Sequence, residues 1–257
     1  MESDGFQLVK GGRKVKKVSG VRSSVYVDIF NDVSVEEIET LMQHAFKKME
    51  NSRFRQFVVN SISAILADAG SDCYVSQIRA VGVGHFCLKG THSYGCHQLA
   101  LLVLLKHYFN CEVTFQEPVA TDNEKVWLHS QGIQWQEATM LSESTASSNP
   151  KCFTLFYMPH CDISLYNNVI YAHRSRDLIS HIIIFGNDLV KFYVNPKYEH
   201  ELSAVVAYRD ACVSVPLPNY EGSLFAFNDT ALHFVNKKFP NFVECEPHYE
   251  FYSAPKV

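Results

Sequence analysis

An α/β fold is predicted: a Rossmann-like parallel-sheet domain with an N-terminal helical cap and additional C-terminal strands. Three observations predict it. Apolar residues recur at three- and four-residue steps from position 33 to 69, and beyond Gly70 strand-like runs alternate with helical ones. The chain is 257 residues long with 47% hydrophobic and 19% charged residues, enough to bury a large core.

Residues 1–24 carry Lys10, Arg13, Lys14, Lys16, Lys17 and Arg22, with Met1, Phe6 and Leu8 as the only apolar side chains larger than valine. They cannot offset the entropy of ordering and are read as a flexible basic tail ahead of one domain over 25–257. Such a run is either a solvated terminus or a patch that engages a partner or a nuclear-import receptor. In the cap, Val35, Ile38, Leu41, Met42, Ala45 and Met49 form one helical stripe. Phe54, Phe57, Val58, Ile62, Ile65 and Leu66 form a second, with a break near Asn51 and Ser52. Ser34 and Glu37 make a capping box for the first helix.

The strands and helices then follow in turn. Residues 77–83 predict a first strand, 93–109 an amphipathic helix and 111–116 a second strand. Thr121 and Glu124 are a capping box for a helix that Gly132 ends, with short strands at 133–137 and 152–157. A helix over 165–174 precedes a fifth strand at 181–185. Residues 142–149 are polar and read as a surface loop. The stretches 204–215, 223–227 and 232–242 read as further strands and a turn, with Pro216 and Pro218 marking irregular chain. Strands joined by helical crossovers imply a parallel sheet. In the order 3-2-1-4-5 the ligand crevice falls between the carboxyl ends of strands 1 and 4.

Charge and hydropathy exclude several classes. A net charge of −4 argues against nucleic-acid binding by bulk charge. Apolar stretches such as 99–105 and 181–185 fall short of the roughly 20 residues that span a bilayer. Eight cysteines in a chain of this size with no signal peptide are read as reduced thiols of a soluble, intracellular protein, and cytoplasm and nucleus are the expected locations.

Candidate site residues gather at two strand ends. Gly82-Val83-Gly84 allows a tight turn and close backbone approach to a ligand, although the third glycine of a dinucleotide fingerprint is missing. Glu117 follows strand 2, where an acid holds ribose hydroxyls in nucleotide- and S-adenosylmethionine-binding folds; its alternative role is at the N-terminus of the Thr121 helix. His85, Cys87, His92, Cys96 and His97 crowd into thirteen residues, and His160-Cys161 closes strand 4. Imidazole and thiolate are the ligands of zinc and haem iron, so His160 and Cys161 are the candidate metal pair, but no standard metal spacing is present. Free cysteines are also common as small buried hydrophobes. Pro159 turns the chain so that His160 faces the crevice, as a general acid or base or as a hydrogen-bonded structural residue. No GxSxG elbow, P-loop, HExxH or paired-carboxylate motif occurs.

These residues carry a resemblance. Residues 153–161, Phe-Thr-Leu-Phe-Tyr-Met-Pro-His-Cys, followed by Leu165-Tyr166-Asn167-Asn168 and Ile184-Phe185-Gly186-Asn187, resemble the core of the sensitivity-to-red-light-reduced family. The Gly82-Val83-Gly84 turn, Tyr94, Gln98-Leu99-Ala100, the Glu117-Pro118 pair and Asn228-Asp229-Thr230 agree with it. The resemblance implies a regulator linked to circadian clock input and, in animal relatives, to haem biosynthesis, with no established catalytic activity. Gly82, Gly84, Glu117, Pro159, His160 and Asn187 are the residues expected to hold a small ligand, haem or S-adenosylmethionine. A regulatory protein partner on the basic tail is also expected, and a membrane is not. The alternative is an S-adenosylmethionine-dependent transferase in which Gly82, Gly84 and Glu117 hold the cofactor.

Overall fold

The computed structural model of the chain describes residues 33–87, 94–137 and 149–235, all within one compact unit, Asp32–Val257. The expected tail, His92 and positions 236–242 lie outside the described residues. The cap is two helices, α1 (Val35–Met49) and α2 (Arg53–Ala69). The predicted capping box closes at 3.2 Å from Glu37 N–H to Ser34 Oγ and 2.9 Å from Ser34 N–H to Glu37 Oε2. Ile38, Met42, Ala45 and Met49 then bury one face of α1. Ser52 Oγ accepts Arg55 N–H and starts α2.

Beyond Gly70 run β1 (Tyr74–Val81), α3 (Tyr94–Phe109), β2 (Glu112–Gln116), α4 (Asp122–Ser130) and β3 (Gln134–Gln136). They are followed by β4 (Cys152–Met158), α5 (Ile163–Ala172), α6 (Arg176–Ile179), β5 (Ile182–Asn187), α7 (Ser203–Ala211), β6 (Cys212–Pro216) and β7 (Thr230–Val235). The seven strands form one sheet in the order β3-β2-β1-β4-β5-β7-β6. The first five are parallel, and β7 and β6 are added antiparallel. Strand order reverses between β1 and β4, paired from Tyr74 opposite Cys152 to Ala80 opposite Tyr157, so the crevice position predicted for this topology exists.

The strands' alternation sorts two apolar layers. Ile78, Ala80, Phe115, Leu155 and Phe185 share a cluster with Ile38, Val58, Ile62 and Leu99 of the first three helices. On the other face Val81, Phe156, Met158 and Ile184 pack with Tyr166, Val169 and Ile170 of α5 and Ala204, Val205 and Tyr208 of α7.

Two sequence expectations are corrected. The helix after β1 is not amphipathic: residues 95–103 are all buried, because α3 packs against both β1 and α1. Residues 204–211, read as strand, are helical. Val205 N–H bonds Asn167 Oδ1 at 3.1 Å, and Ala204, Val205 and Tyr208 bury a one-turn stripe against α5. Only 212–216 continues as strand, and Ser223 to Phe227 forms turns.

Candidate functional site

The chain leaves β1 through two glycines in the left-handed region, Gly82 at φ 66° and Gly84 at φ 76°. A Cβ on Gly82 would stand 2.5 Å from Leu165 Cδ2 and 2.9 Å from Cys161 Sγ. That glycine is therefore fixed by packing as well as by backbone. Around Gly84 no atom of the other described residues lies within 4 Å of the corresponding point, so among them only the backbone requires glycine there and the space beside it is open.

Two buried carboxylates hold this loop. Glu117 follows β2, is 6% exposed, and accepts Gly84 N–H at 2.7 Å and Val119 N–H at 3.2 Å. Glu124, in the first turn of α4, is 1% exposed. Its Oε1 accepts Phe86 N–H at 2.8 Å and Cys87 N–H at 3.2 Å. Its Oε2 accepts Thr121 N–H at 2.9 Å in the predicted capping box and meets His85 Nδ1 at 3.1 Å. Burial alone would raise the Glu124 pKa, but the bonds from His85, Thr121, Cys87 and Phe86 outweigh it and hold the carboxyl below its usual value. The same bond, with the charges of Glu124 and Glu117, raises the His85 pKa against the opposing effect of burial.

The chain leaves β4 through Pro159 and His160, and His160 is also left-handed at φ 58°. A neutral clamp holds this turn. Asn187, at the end of β5, accepts His160 N–H through Oδ1 at 2.8 Å and donates from Nδ2 to Cys161 O at 3.0 Å. The Tyr166 hydroxyl donates to Met158 O and accepts Asn187 N–H at 2.7 Å. His160 Nε2 lies 3.2 Å from Ala226 O, which also accepts Gln98 Nε2 at 2.8 Å. A carbonyl only accepts, so the imidazole proton sits on Nε2.

Gly82, Gly84, Glu117, Pro159, His160 and Asn187 thus stand at the carboxyl ends of neighbouring strands, as the topology requires. Cys161 joins the two turns: its thiol donates to Val81 O at 3.1 Å and to Gly82 O at 3.3 Å, and burial pushes its pKa far up. His160 Nε2 and Cys161 Sγ, the candidate metal pair, are both committed to main-chain carbonyls. Among the described residues no group of three or more His, Cys, Asp or Glu side chains is placed to hold a metal ion.

The histidine and cysteine crowd is dispersed. His85 turns to Glu124, Cys87 and Cys96 meet each other at 3.1 Å, and His97 bonds the Tyr220 hydroxyl at 3.1 Å. Burial lowers the His97 pKa to about 4. Sequence reasoning missed Glu124 as a holder of the β1 loop and missed the chain around Ala226. The capping box announces Glu124, but nothing local announces its second task.

A family model described as the SRR1 domain matches residues 39–234. The SRR1-like protein of Drosophila melanogaster is 23% identical over 205 residues, covering 79% of this chain and 70% of its own. The protein Sensitivity to Red Light Reduced 1 of Arabidopsis thaliana is 26% identical over 225 residues, covering 79% and 77%. A solved structure, MtNAS in complex with MTA and tNA, is similar at TM-score 0.36 and 12% identity over 79% of this chain and 73% of that one, a likeness too loose to argue from.

Proposed function

The chain belongs to the SRR1 domain family, and from that premise we propose that it is a regulatory protein that works by binding a small molecule in the crevice between the carboxyl ends of β1 and β4. The observation that carries this is the pair of loops that leave those two strands. Buried carboxylates are costly to desolvate, and Glu117 and Glu124, with the half-buried Asn187, are all used to fix the backbone of the two loops that carry the left-handed Gly82, Gly84 and His160, beside a point at Gly84 that no other described residue fills. Such preorganisation is what a ligand site needs and what packing alone does not. The named relation to red-light sensitivity in the Arabidopsis relative supports input to the circadian clock as the regulated process. Control of haem biosynthesis is carried by the family resemblance.

For ligand class, Glu117 favours an adenosine-bearing molecule. It stands at the carboxyl end of β2, where ribose hydroxyls are held in this fold, and its two oxygens keep acceptor capacity beyond the Gly84 and Val119 amides. The transferase reading rests on Gly82, Gly84 and Glu117 as the cofactor holders and differs in requiring turnover.

Native mass spectrometry of protein purified from its own cells tests the proposal, with calorimetry against S-adenosylmethionine and a haemin titration beside it. A retained or titrated adenosine ligand whose affinity falls by about 1–3 kcal/mol in Glu117→Gln supports the assignment. Release of S-adenosylhomocysteine would make the protein a transferase. A sharp, shifted Soret band lost in His160→Ala with Cys161→Ala would make the ligand haem. No retained mass and no binding of either probe would overturn the small-molecule reading.

A further inference from the structure

The loop after β1 meets the start of α3 through two sulfurs. Cys87 Sγ lies 3.1 Å from Cys96 Sγ, about 1 Å beyond the ~2.05 Å of a disulfide bond. Both side chains are buried.

Their approach does not depend on the sulfurs. Glu124 fixes the loop backbone through the Phe86 and Cys87 amides. Gly95, in the first turn of α3, lets the helix touch that backbone. A Cβ on Gly95 would stand 2.7 Å from Phe86 Cα and 2.8 Å from His85 O. Cys87 follows Phe86, and Cys96 follows Gly95, so the contact between backbones delivers the two thiols to one another. Cys96 Sγ also donates to Phe86 O at 2.9 Å, which keeps it in the same corner. Forming a bond here therefore needs a sulfur movement of about 1 Å and no rearrangement of elements.

We propose that Cys87 and Cys96 are a disulfide site, closed by a two-electron oxidation with a peroxide and reopened by a dithiol. One sulfur attacks the peroxide, breaking the O–O bond to give a sulfenic acid and one water. The second sulfur displaces that oxygen as a second water. Two S–H bonds and one O–O bond are exchanged for one S–S bond and two O–H bonds, and the two sulfurs supply the electrons. A peroxide of nearly the size of water suits a buried pair. The bond to Cys96, and then burial, hold the proton on Cys87, so the reaction is slow at neutral pH and quickens as pH rises. Once formed, the bond ties the chain carrying Gly84 and His85 to α3. That consequence for the crevice rests on the small-molecule reading, and the disulfide itself does not.

Trypsin separates the two cysteines, because Lys89 lies between them; cuts after Arg79, Lys89 and Lys106 place Cys87 in peptide 80–89 and Cys96 in peptide 90–106, one cysteine each. The full chain is treated with hydrogen peroxide, alkylated under denaturing conditions, digested and weighed. The expected product is these two peptides joined, two hydrogens lighter than their sum, lost on adding dithiothreitol and absent from Cys96→Ser. The unreduced protein should melt roughly 5 °C higher than the reduced one, since the bond closes a short loop. Cys87 and Cys96 both alkylated, in a sample where the half-buried Cys111 or Cys212 is oxidised, overturns the proposal. So does Cys87 joined equally to cysteines elsewhere in the chain. The decisive readout is on the natural chain, so it stands even where the Cys96→Ser variant fails to fold.

Discussion

The loops that leave β1 and β4 stand side by side at one end of the sheet, each with residues in the left-handed region, yet their backbones are held by different chemistry. Glu117 and Glu124 grip the first with charge. Asn187 and Tyr166 grip the second with neutral groups. A buried carboxylate accepting several N–H donors is stronger than an amide doing similar work, and removing it leaves more donors stranded. The β1 loop should therefore be the more tightly held and the more sensitive to mutation and pH, while the β4 turn should behave as a fixed wall.

The largest effect expected from that difference is at Glu124. Glu124→Ala strands the Phe86, Cys87 and Thr121 amides and the His85 imidazole together. It should cost about 3–5 kcal/mol in urea denaturation, against about 1–3 kcal/mol for Asn187→Ala, which frees one amide and one carbonyl. Equal losses would show that charge is not what separates the two loops.

Within the β1 loop the two glycines sharpen the contrast. Gly82→Ala meets both the left-handed penalty and the Leu165 and Cys161 side chains, for about 2–4 kcal/mol. Gly84→Ala meets only the backbone penalty, about 1–2 kcal/mol, because no other described residue lies against it. If the open space serves a ligand, Gly84→Ala should lose more binding than stability, and Gly82→Ala the reverse. Calorimetry beside thermal melts separates the two.

Most of the frame of this site was legible in the sequence because its signals are local. Ser34 with Glu37 and Thr121 with Glu124 announce helix starts within four residues. Gly82 and Gly84 announce a turn, and the alternation of strands and helices dictates a crevice between strands 1 and 4 before any contact is known. What escaped is non-local. Glu124 reaches the amides of Phe86 and Cys87, 38 and 37 positions away, through a sheet order that pairs β1 with β2. The crowded His85, Cys87, Cys96 and His97 looked like one ligand set because they are close in sequence. A loop followed by a helix instead aims them at Glu124, at each other and at Tyr220. Residues 204–211 misled through their two valines, whose β preference yields when Ala204, Val205 and Tyr208 find a helix to pack on.

The smallest effect expected is in pH, and it tests the comparison most directly. The Glu124 pKa is lowered in the folded chain from 4.5, so its contribution is present above that value and is lost as pH falls through the folded one. The His85 pKa is raised from 6.5, so the gain from its bond is complete below 6.5 and is lost as pH rises through the folded value. The β1 loop should thus be held most firmly between these limits and loosen on either side. Asn187 and Tyr166 bear no charge in that range, since burial holds the Tyr166 phenol well above its usual value, and the His160 amide is held by the neutral Asn187 side chain. The His85 side chain is 23% exposed, so the change from pH 5.5 to 8 should stay under about 1 kcal/mol. Amide hydrogen exchange, corrected for the intrinsic rate, should show the protection of Phe86 and Cys87 falling severalfold over that interval while that of His160 stays constant. Glu124→Gln should remove the pH dependence along with the charge. A His160 amide that loosens in step with Phe86 would mean that the two loops open as one unit, with the Cys161 bonds to Val81 and Gly82 coupling what the carboxylates and the amide hold apart.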